Sequence, residues 1–396
     1  MKRKSTIFIG LIIVLLIAYA VRAAIMPMPT VAASSADLKI PASTAPQLVW
    51  PSFGQAAVGA LGYGTLATNG EQKSTPIASI AKTMLALSVL KQKPLKVGEQ
   101  GPTLTITQQD ADLYHTYLAQ NGSIVPINVG EQISEYQMLQ ALLLPSGDNI
   151  ADSLAIWAFG SVDAYLKYAN DQAATLGLKQ THFADASGIS AQTVSSAEDL
   201  TMFAQSVMAE PVVVEIVGQS KITLPVMGPA FNYNTILGQS GIVGIKTGNT
   251  DEAGGCFMFA SKTKIDGQDV TLIGAILGAS NLSAALQSTL TFLQSNAPAW
   301  HMTTVAKAGQ TVGTYNLPWG QVANAVAEKD VSVLTIGNQK VTPKVDLVTI
   351  NSTKNKGDKV GTISVQSGTS AVSVPLILDS SIAKPSFFWK LIHPKN

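Results

Sequence analysis

Between residues 56 and 277 the chain sorts its secondary-structure signals by position, and no other feature limits the fold as strongly. A strand-like run at 56–61 precedes helical segments that begin near Ser79 and continue at 134–144, 150–159, 162–176 and 197–209. Two further strand-like runs, 255–261 and 270–277, flank Asp266-Gly267 and predict a hairpin, and 283–294 adds a last helix. Strands at both ends of a region with helices grouped between them predict an α+β fold, an antiparallel sheet with a helical subdomain. After about residue 300, short Val/Thr-rich runs broken by Gly and Pro predict a small all-β sandwich. Residues 307–314 and 355–362 share their Gly, Val, Gly and Thr positions there, as two similar hairpin units would.

The 396 residues are 46% hydrophobic, ample for packed cores. A net charge of +1 with 13% charged residues leaves no concentrated cationic face, which argues against a nucleic-acid partner. Lys2-Arg3-Lys4 precede an uncharged stretch, 7–21, the layout of a secretory signal or a signal anchor with its positive end in the cytoplasm. Extended past Arg22 to Met28 it reaches the length of a span, about 20 residues. Ala18-Tyr19-Ala20 would serve as a cleavage site, so signal and anchor both stay open, and either predicts a globular part on the extracytoplasmic side of the membrane. The expected division is 1–28 signal or membrane anchor, 29–49 a Pro/Ala/Ser/Thr-rich linker, 50–298 the α+β domain, 299–380 the β-rich domain and 381–396 a tail. The tail's Phe387-Phe388-Trp389-Lys390 suits a bilayer surface and packing on its own domain alike. The single cysteine, Cys256, excludes an internal disulfide and reads as a packed thiol in a buried strand.

The tetrapeptide Ser79-Ile80-Ala81-Lys82 occurs again as Ser381-Ile382-Ala383-Lys384. A serine three residues ahead of a lysine suits acyl transfer when one helical face carries both. Lys82 is followed by a run free of Gly and Pro that predicts a helix, whereas Lys384 precedes Pro385 and is biased away from helical geometry. A third pair of this spacing, Ser261 and Lys264, falls in the predicted hairpin. The first copy is therefore the candidate.

Acyl transfer by a serine needs a nucleophile, a nearby base, a proton carrier to the leaving group and donors for the oxyanion. Ser79 at a helix start is the nucleophile candidate, favoured by free N–H groups and the positive dipole end. Lys82 one turn on is the base candidate, provided that burial beside a second cation lowers its pKa from about 10.4. Lys246-Thr247-Gly248 supplies such a cation, one that could also hold a substrate carboxylate, and Gly248 would admit a close backbone approach. The turn-rich Leu144-Pro145-Ser146-Gly147-Asp148-Asn149 offers the Ser146 hydroxyl as proton relay. Singly, Ser146 reads more readily as a helix cap and Lys246 as a surface cation; their order and company carry the reading.

Serine-x-x-lysine, then a serine-glycine turn, then Lys-Thr-Gly is the signature of penicillin-binding proteins and serine β-lactamases. The chain resembles the low-molecular-weight D-alanyl-D-alanine carboxypeptidases over roughly 50–380. The phrases that carry it are Ala78–Met84, Val129-Gly130-Glu131, Thr181–Gly188 and Gly244–Thr250. The resemblance implies a β-lactamase/transpeptidase-like catalytic domain and no cofactor or metal. It also implies removal of the terminal D-alanine from peptidoglycan stem pentapeptides, through an acyl-enzyme on Ser79 that β-lactam antibiotics would form as substrate mimics. Lys82 would be general base, Ser146 relay, Lys246 and Thr247 carboxylate anchors, and the N–H groups of Ser79 and Asn249 the oxyanion hole.

The chain departs from the pattern where the family usually has Asn, two residues after the relay serine. Asp148 and Asn149 are both candidate substrate contacts: either Asn149 fills that place through a one-residue shift, or the Asp148 carboxylate lies beside Lys82 and favours its charged form. Asn249 stands where close relatives often have His. A β-lactamase that deacylates through Glu-x-x-Leu-Asn is disfavoured because that string is absent, and a Ser-His-Asp hydrolase because no Gly-x-Ser-x-Gly elbow occurs. His182 reads as structural, and a metalloenzyme lacks clustered ligands. A wall-binding protein whose relay Asp148 has spoiled is the non-enzymatic alternative.

Overall fold

The computed structural model describes residues 2–38, 40 and 45–394. After α1 (Lys2–Ile25) come β1 (Ser34–Ser35) and a hairpin of β2 (Gln55–Ala60) and β3 (Gly64–Asn69). A helical block comes next, with α2 (Lys82–Gln92), α3 (Gln108–Ala119), α4 (Glu135–Leu143), α5 (Asp148–Phe159), α6 (Val162–Thr175), α7 (Ala197–Met208) and α8 (Pro211–Val217). The chain returns through β4 (Ile242–Thr250), β5 (Gly254–Ile265) and β6 (Gln268–Ala279) to α9 (Leu282–Ser295). It then runs through β7 (Trp300–Ala306), β8 (Thr311–Asn316), β9 (Val322–Ala327), β10 (Val331–Ile336), β11 (Pro343–Leu347), β12 (Lys359–Ser367) and β13 (Ser370–Leu378), and on to α10 (Phe387–Ile392).

The strands at the two ends of the helical block meet in one antiparallel sheet of order β4-β5-β6-β2-β3, the α+β arrangement expected. Along β5, Cys256, Met258 and Ala260 face the helical block, while Phe257 and Phe259 face α9. Both faces are covered, so the strand reads as an unbroken apolar run rather than an alternating one. Burial pushes the Cys256 thiol up to about 11, so the group is an inert packing element. The β5–β6 hairpin closes through Asp266 and Gly267 at φ 48° and 82°, the positive values that a two-residue turn matched to strand twist requires.

The β-rich part forms a sheet of order β1-β8-β9-β13-β12-β11 beside the pair β7-β10. Trp300 and Leu334 of that pair pack with Leu286 and Leu290 of α9, continuing the apolar layer behind the central sheet. The repeated octapeptide builds one turn twice. Lys307 N–H bonds Gln310 Oε1 at 3.0 Å and Asn355 N–H bonds Asp358 Oδ2 at 2.9 Å, and the glycine of each copy takes positive φ.

The segment expected as a linker is more than a tether. Val31 exchanges two 2.8 Å backbone bonds with Ile350, and β1 lies along the edge of β8, satisfying polar groups that an open sheet edge would leave exposed. Residues 39 and 41–44 of that stretch lie outside the described residues. The tail packs on its own chain at two places. Trp389 Nε1–H donates to Pro318 O at 3.2 Å, while α10 packs beside α1 with Tyr19 OH bonded to Leu391 O at 2.5 Å and Lys390 Nζ to Met26 O at 2.6 Å.

Candidate active site

Ser79 lies in a 3-10 turn, Ala78–Ala81, and the α-helix proper begins at Lys82. The sequence predicted a helix starting near Ser79, and the tighter turn is the refinement. With three residues per turn, positions i and i+3 eclipse, which sets Lys82 Nζ 2.8 Å from Ser79 Oγ. Ala78, immediately before, holds φ 48°, a strained value for a residue with a side chain. Gly188 packs against it at φ 85°, where an added Cβ would fall 1.9 Å from Ala78 O. Only glycine fits both conformation and space there.

Lys82 is wholly buried among oxygens. Besides Ser79 Oγ, its Nζ bonds Asp148 Oδ1 at 2.5 Å and Ser187 O at 2.7 Å. Asp148 opens α5, and its second oxygen accepts the Ser123 N–H at 2.7 Å. Of the two alternatives left by the sequence, the carboxylate is the one beside Lys82. Asn149 is corrected from substrate contact to scaffold: one step of about 100° round the helix turns it away, and its amide is bonded to Val125 N and O at 2.9 and 3.0 Å. The Ser187 carbonyl is aimed by Asp185, whose Oδ2 accepts the N–H groups of Ser187, Gly188 and Ile189 and the Ser187 hydroxyl. Behind Asp148, Asp152 is pushed up to about 6 by burial, with Asp185 and Asp148 adding repulsion.

The opposite wall is β4. Lys246 is buried, its Nζ 3.0 Å from Ser146 Oγ and 3.1 Å from Thr247 O, so it is no surface cation. Burial first, and the Lys82 charge second, hold Lys246 well below the ordinary lysine range, while Asp148 opposes them. Ser146 takes φ 64° in the turn between α4 and α5, so it is not a helix cap. At Gly248 an added Cβ would lie 2.7 Å from Ile77 O and 3.2 Å from Ser79 N, which leaves no room for a side chain between the strand and the turn that carries Ser79. Ser79, Ser123, Ser146, Thr247 and Asn249 line one cleft.

The other serine-lysine pairs stay apart from it. Ser261 Oγ bonds Ser240 O at 2.7 Å, Lys264 pairs with Asp269, and Ser381 accepts the Lys356 N–H at 2.9 Å outside any helix. His182 exchanges backbone bonds with Val194. Sequence reasoning missed Ser123, Asp185, Ser187 and Gly188 as site-builders. Asp-x-Ser-Gly is a turn signal that marks three of them, whereas Ser123 acts through its main chain, which leaves no mark in the letters.

Residues 64–281, more than half of the chain, match the sequence profile of D-alanyl-D-alanine carboxypeptidases. The chain belongs to this family. Like its family this carboxypeptidase is a serine hydrolase, and it is 27% identical over 343 residues to the D-alanyl-D-alanine carboxypeptidase DacA of Escherichia coli (strain K12), spanning 82% of this chain and 81% of that protein. The crystal structure of the Streptomyces K15 DD-transpeptidase covers 63% of this chain and 98% of its own, with 28% identity and a TM-score of 0.56. A peptidoglycan synthesis regulatory factor of Streptococcus pneumoniae covers 83% of this chain and 98% of its own at 19% identity and a TM-score of 0.66, a likeness of fold that reaches into the β-rich part.

Proposed function

We propose that this carboxypeptidase removes the terminal D-alanine of peptidoglycan stem pentapeptides through an acyl-enzyme on Ser79, and that β-lactams acylate the same hydroxyl. The observation that carries the reading is the 2.8 Å contact of Ser79 Oγ with the buried Lys82 Nζ, facing a wall with buried Lys246 and Ser146. In the proposed reaction Lys82 takes the Ser79 proton as Oγ attacks the penultimate carbonyl. The N–H groups of Ser79 and Asn249 receive the oxyanion. Ser146, bonded to Lys246, gives its hydroxyl proton to the nitrogen of the departing D-alanine as the C–N bond breaks and takes in return the proton that Lys82 received, after which water hydrolyses the acyl ester and restores the Ser79 hydroxyl. Thr247 and Lys246 bind the substrate carboxylate, which supplies the counter-charge that Lys246 otherwise lacks. Release of D-alanine from a pentapeptide, together with a fluorescent-penicillin adduct that Ser79→Ala removes, is the expected result. A folded protein that neither labels nor releases D-alanine would instead support the impaired, wall-binding alternative.

The family acts outside the cytoplasm, and we assign this member to the outer face of the membrane with α1 retained as its anchor. Thr6–Ile25 is a 20-residue apolar helix, and three side chains bond across the α1–α10 contact: Tyr19, Lys390 and Arg22, the last reaching Pro394 O at 3.3 Å. Cleavage after Ala20 would remove Tyr19. The intact mass of detergent-extracted protein should include α1; a mature chain starting after Ala20 would refute retention.

A further inference from the structure

The roles above leave one carboxylate in contact with the site's side chains without a task. Asp148 is 4% exposed, and both of its oxygens are fixed, one on Lys82 Nζ and one on the Ser123 N–H. A neutral amine has two N–H donors and one lone pair. Lys82 Nζ donates to Ser79 Oγ at 2.8 Å, to Asp148 Oδ1 and to Ser187 O, the three partners of an ammonium; as the neutral base that the acyl-enzyme reading requires, it would keep its two donors on Asp148 Oδ1 and Ser187 O and turn its lone pair to the Ser79 hydroxyl. After transfer the same oxygens surround an ammonium.

We propose that Asp148 is a positioning residue, the third member of a Ser79–Lys82–Asp148 relay, whose carboxylate orients the Lys82 amine and counter-charges the ammonium formed when Ser79 attacks. The proposal rests on the acyl-enzyme reading. In the step, the Ser79 Oγ–H bond breaks, an Nζ–H bond forms, and the oxygen pair of electrons makes the new bond to the substrate carbonyl carbon. Asp148 takes no proton in this step, the part that the aspartate plays beside an imidazolium in a serine-histidine-aspartate triad. An amide in its place would present one acceptor and one donor to two donors, so the carboxylate fits where asparagine fits half.

The charged and titratable groups around the relay fit this task. Lys246 faces it from β4 and is held toward its neutral form by burial and by Lys82. Asp152, one turn along α5, is bonded by Tyr117 OH of α3 at 2.9 Å and is pushed up to about 6 by burial. Asp185 is consumed by its own loop. Asp148 is thereby the carboxylate in contact with Lys82.

The test is the rate of acylation by a fluorescent penicillin, measured on full-length protein across about pH 5 to 10. In Asp148→Asn the plateau rate should fall about 10-fold or more, because the ammonium forms without a counter-charge. The acid limb should move to lower pH by about one unit or more, since an opposite charge in contact shifts a titration by about that much. A variant that is merely loosened would lose rate without moving the limb. Asp148→Ala should regain rate when formate is added, a rescue that does not depend on Asp148→Asn folding well. An unmoved limb, or no rescue by formate, overturns the relay. Wild-type protein that forms no adduct removable by Ser79→Ala would instead sink the acyl-enzyme reading itself, a separate result.

Discussion

The two copies of Ser-Ile-Ala-Lys share every letter and almost no physics. At 79–82 the four residues form a 3-10 turn running into α2, with serine over lysine and the lysine sealed among oxygens. At 381–384 the chain is extended: Ile382 makes an antiparallel bridge to Lys354, Lys384 is exposed, and Pro385 stands where a helix would need a free N–H. The difference lies in the residues C-terminal to each copy, an eleven-residue helix with eight buried positions in one case and a proline in the other. The chemistry of a short motif is thus set by the element that continues it and by the partners which that element brings near.

The sharpest break of this comparison is Lys82→Ala. It removes the proposed base, and acylation by penicillin should fall by about 10²- to 10⁴-fold. It also leaves Asp148 as a buried unpaired carboxylate, so stability should drop by about 3–5 kcal/mol. Thermal melts and adduct formation measure both. A variant that melts like wild type would show that the Lys82–Asp148 contact carries no weight in the fold.

Lys246→Ala comes next. Because burial and Lys82 hold this lysine below its ordinary range, a docking carboxylate must draw a proton onto it. Peptides with a free C-terminus should therefore bind more weakly as pH rises, and the variant should lose about 10- to 100-fold in kcat/KM on them. Amidated peptides should lose less. Equal losses on both would remove Lys246 from carboxylate recognition.

The positions of these groups were unequally legible in the sequence. The helical block, the β5–β6 hairpin and the β-rich repeat announce themselves through periodicity and turn residues, and the three motifs name Ser79, Lys82, Ser146 and Lys246. α3 is marked only by Thr107 and Asp110, a capping box without an apolar stripe behind it, because its helix is polar and half exposed. Asp148 against Asn149 was undecidable, since one residue's step round a helix selects the side chain that faces Lys82. The main-chain contribution of Ser123 carries no side-chain signature. The α1–α10 contact joins elements more than 360 residues apart, and local patterns hold no information at that range.

Glu135 offers a smaller effect, away from Ser79, that separates fold from catalysis. It opens α4 fully buried, neither oxygen has a hydrogen-bond partner among the described residues, and burial pushes it up to about 7 against the opposing pull of Lys93. Its folded value lies above the unfolded one of about 4.3, so the native state keeps a proton that the unfolded chain has lost between those values. Stability should therefore decline as pH rises from about 4.3 to 7 and level off above. Glu135→Gln should flatten that decline and gain about 1–3 kcal/mol at pH 8, read as a melting-temperature gap that opens with pH. A gap constant from pH 5 to 8 would mean that the carboxyl finds a partner when it ionises.

The smallest effect belongs to the second copy, and it is the control that gives the comparison its meaning. Ser381 Oγ accepts the Lys356 N–H at 2.9 Å in an exposed turn, where water can replace the bond. Lys384 makes no ion pair among the described residues. Ser381→Ala and Lys384→Ala should change stability by less than about 0.5 kcal/mol and leave penicillin labelling at wild-type rate and amount. A loss of labelling in either variant would mean that the tail reaches the cleft, and the contrast between a helical and an extended setting of the same four letters would no longer explain which serine reacts.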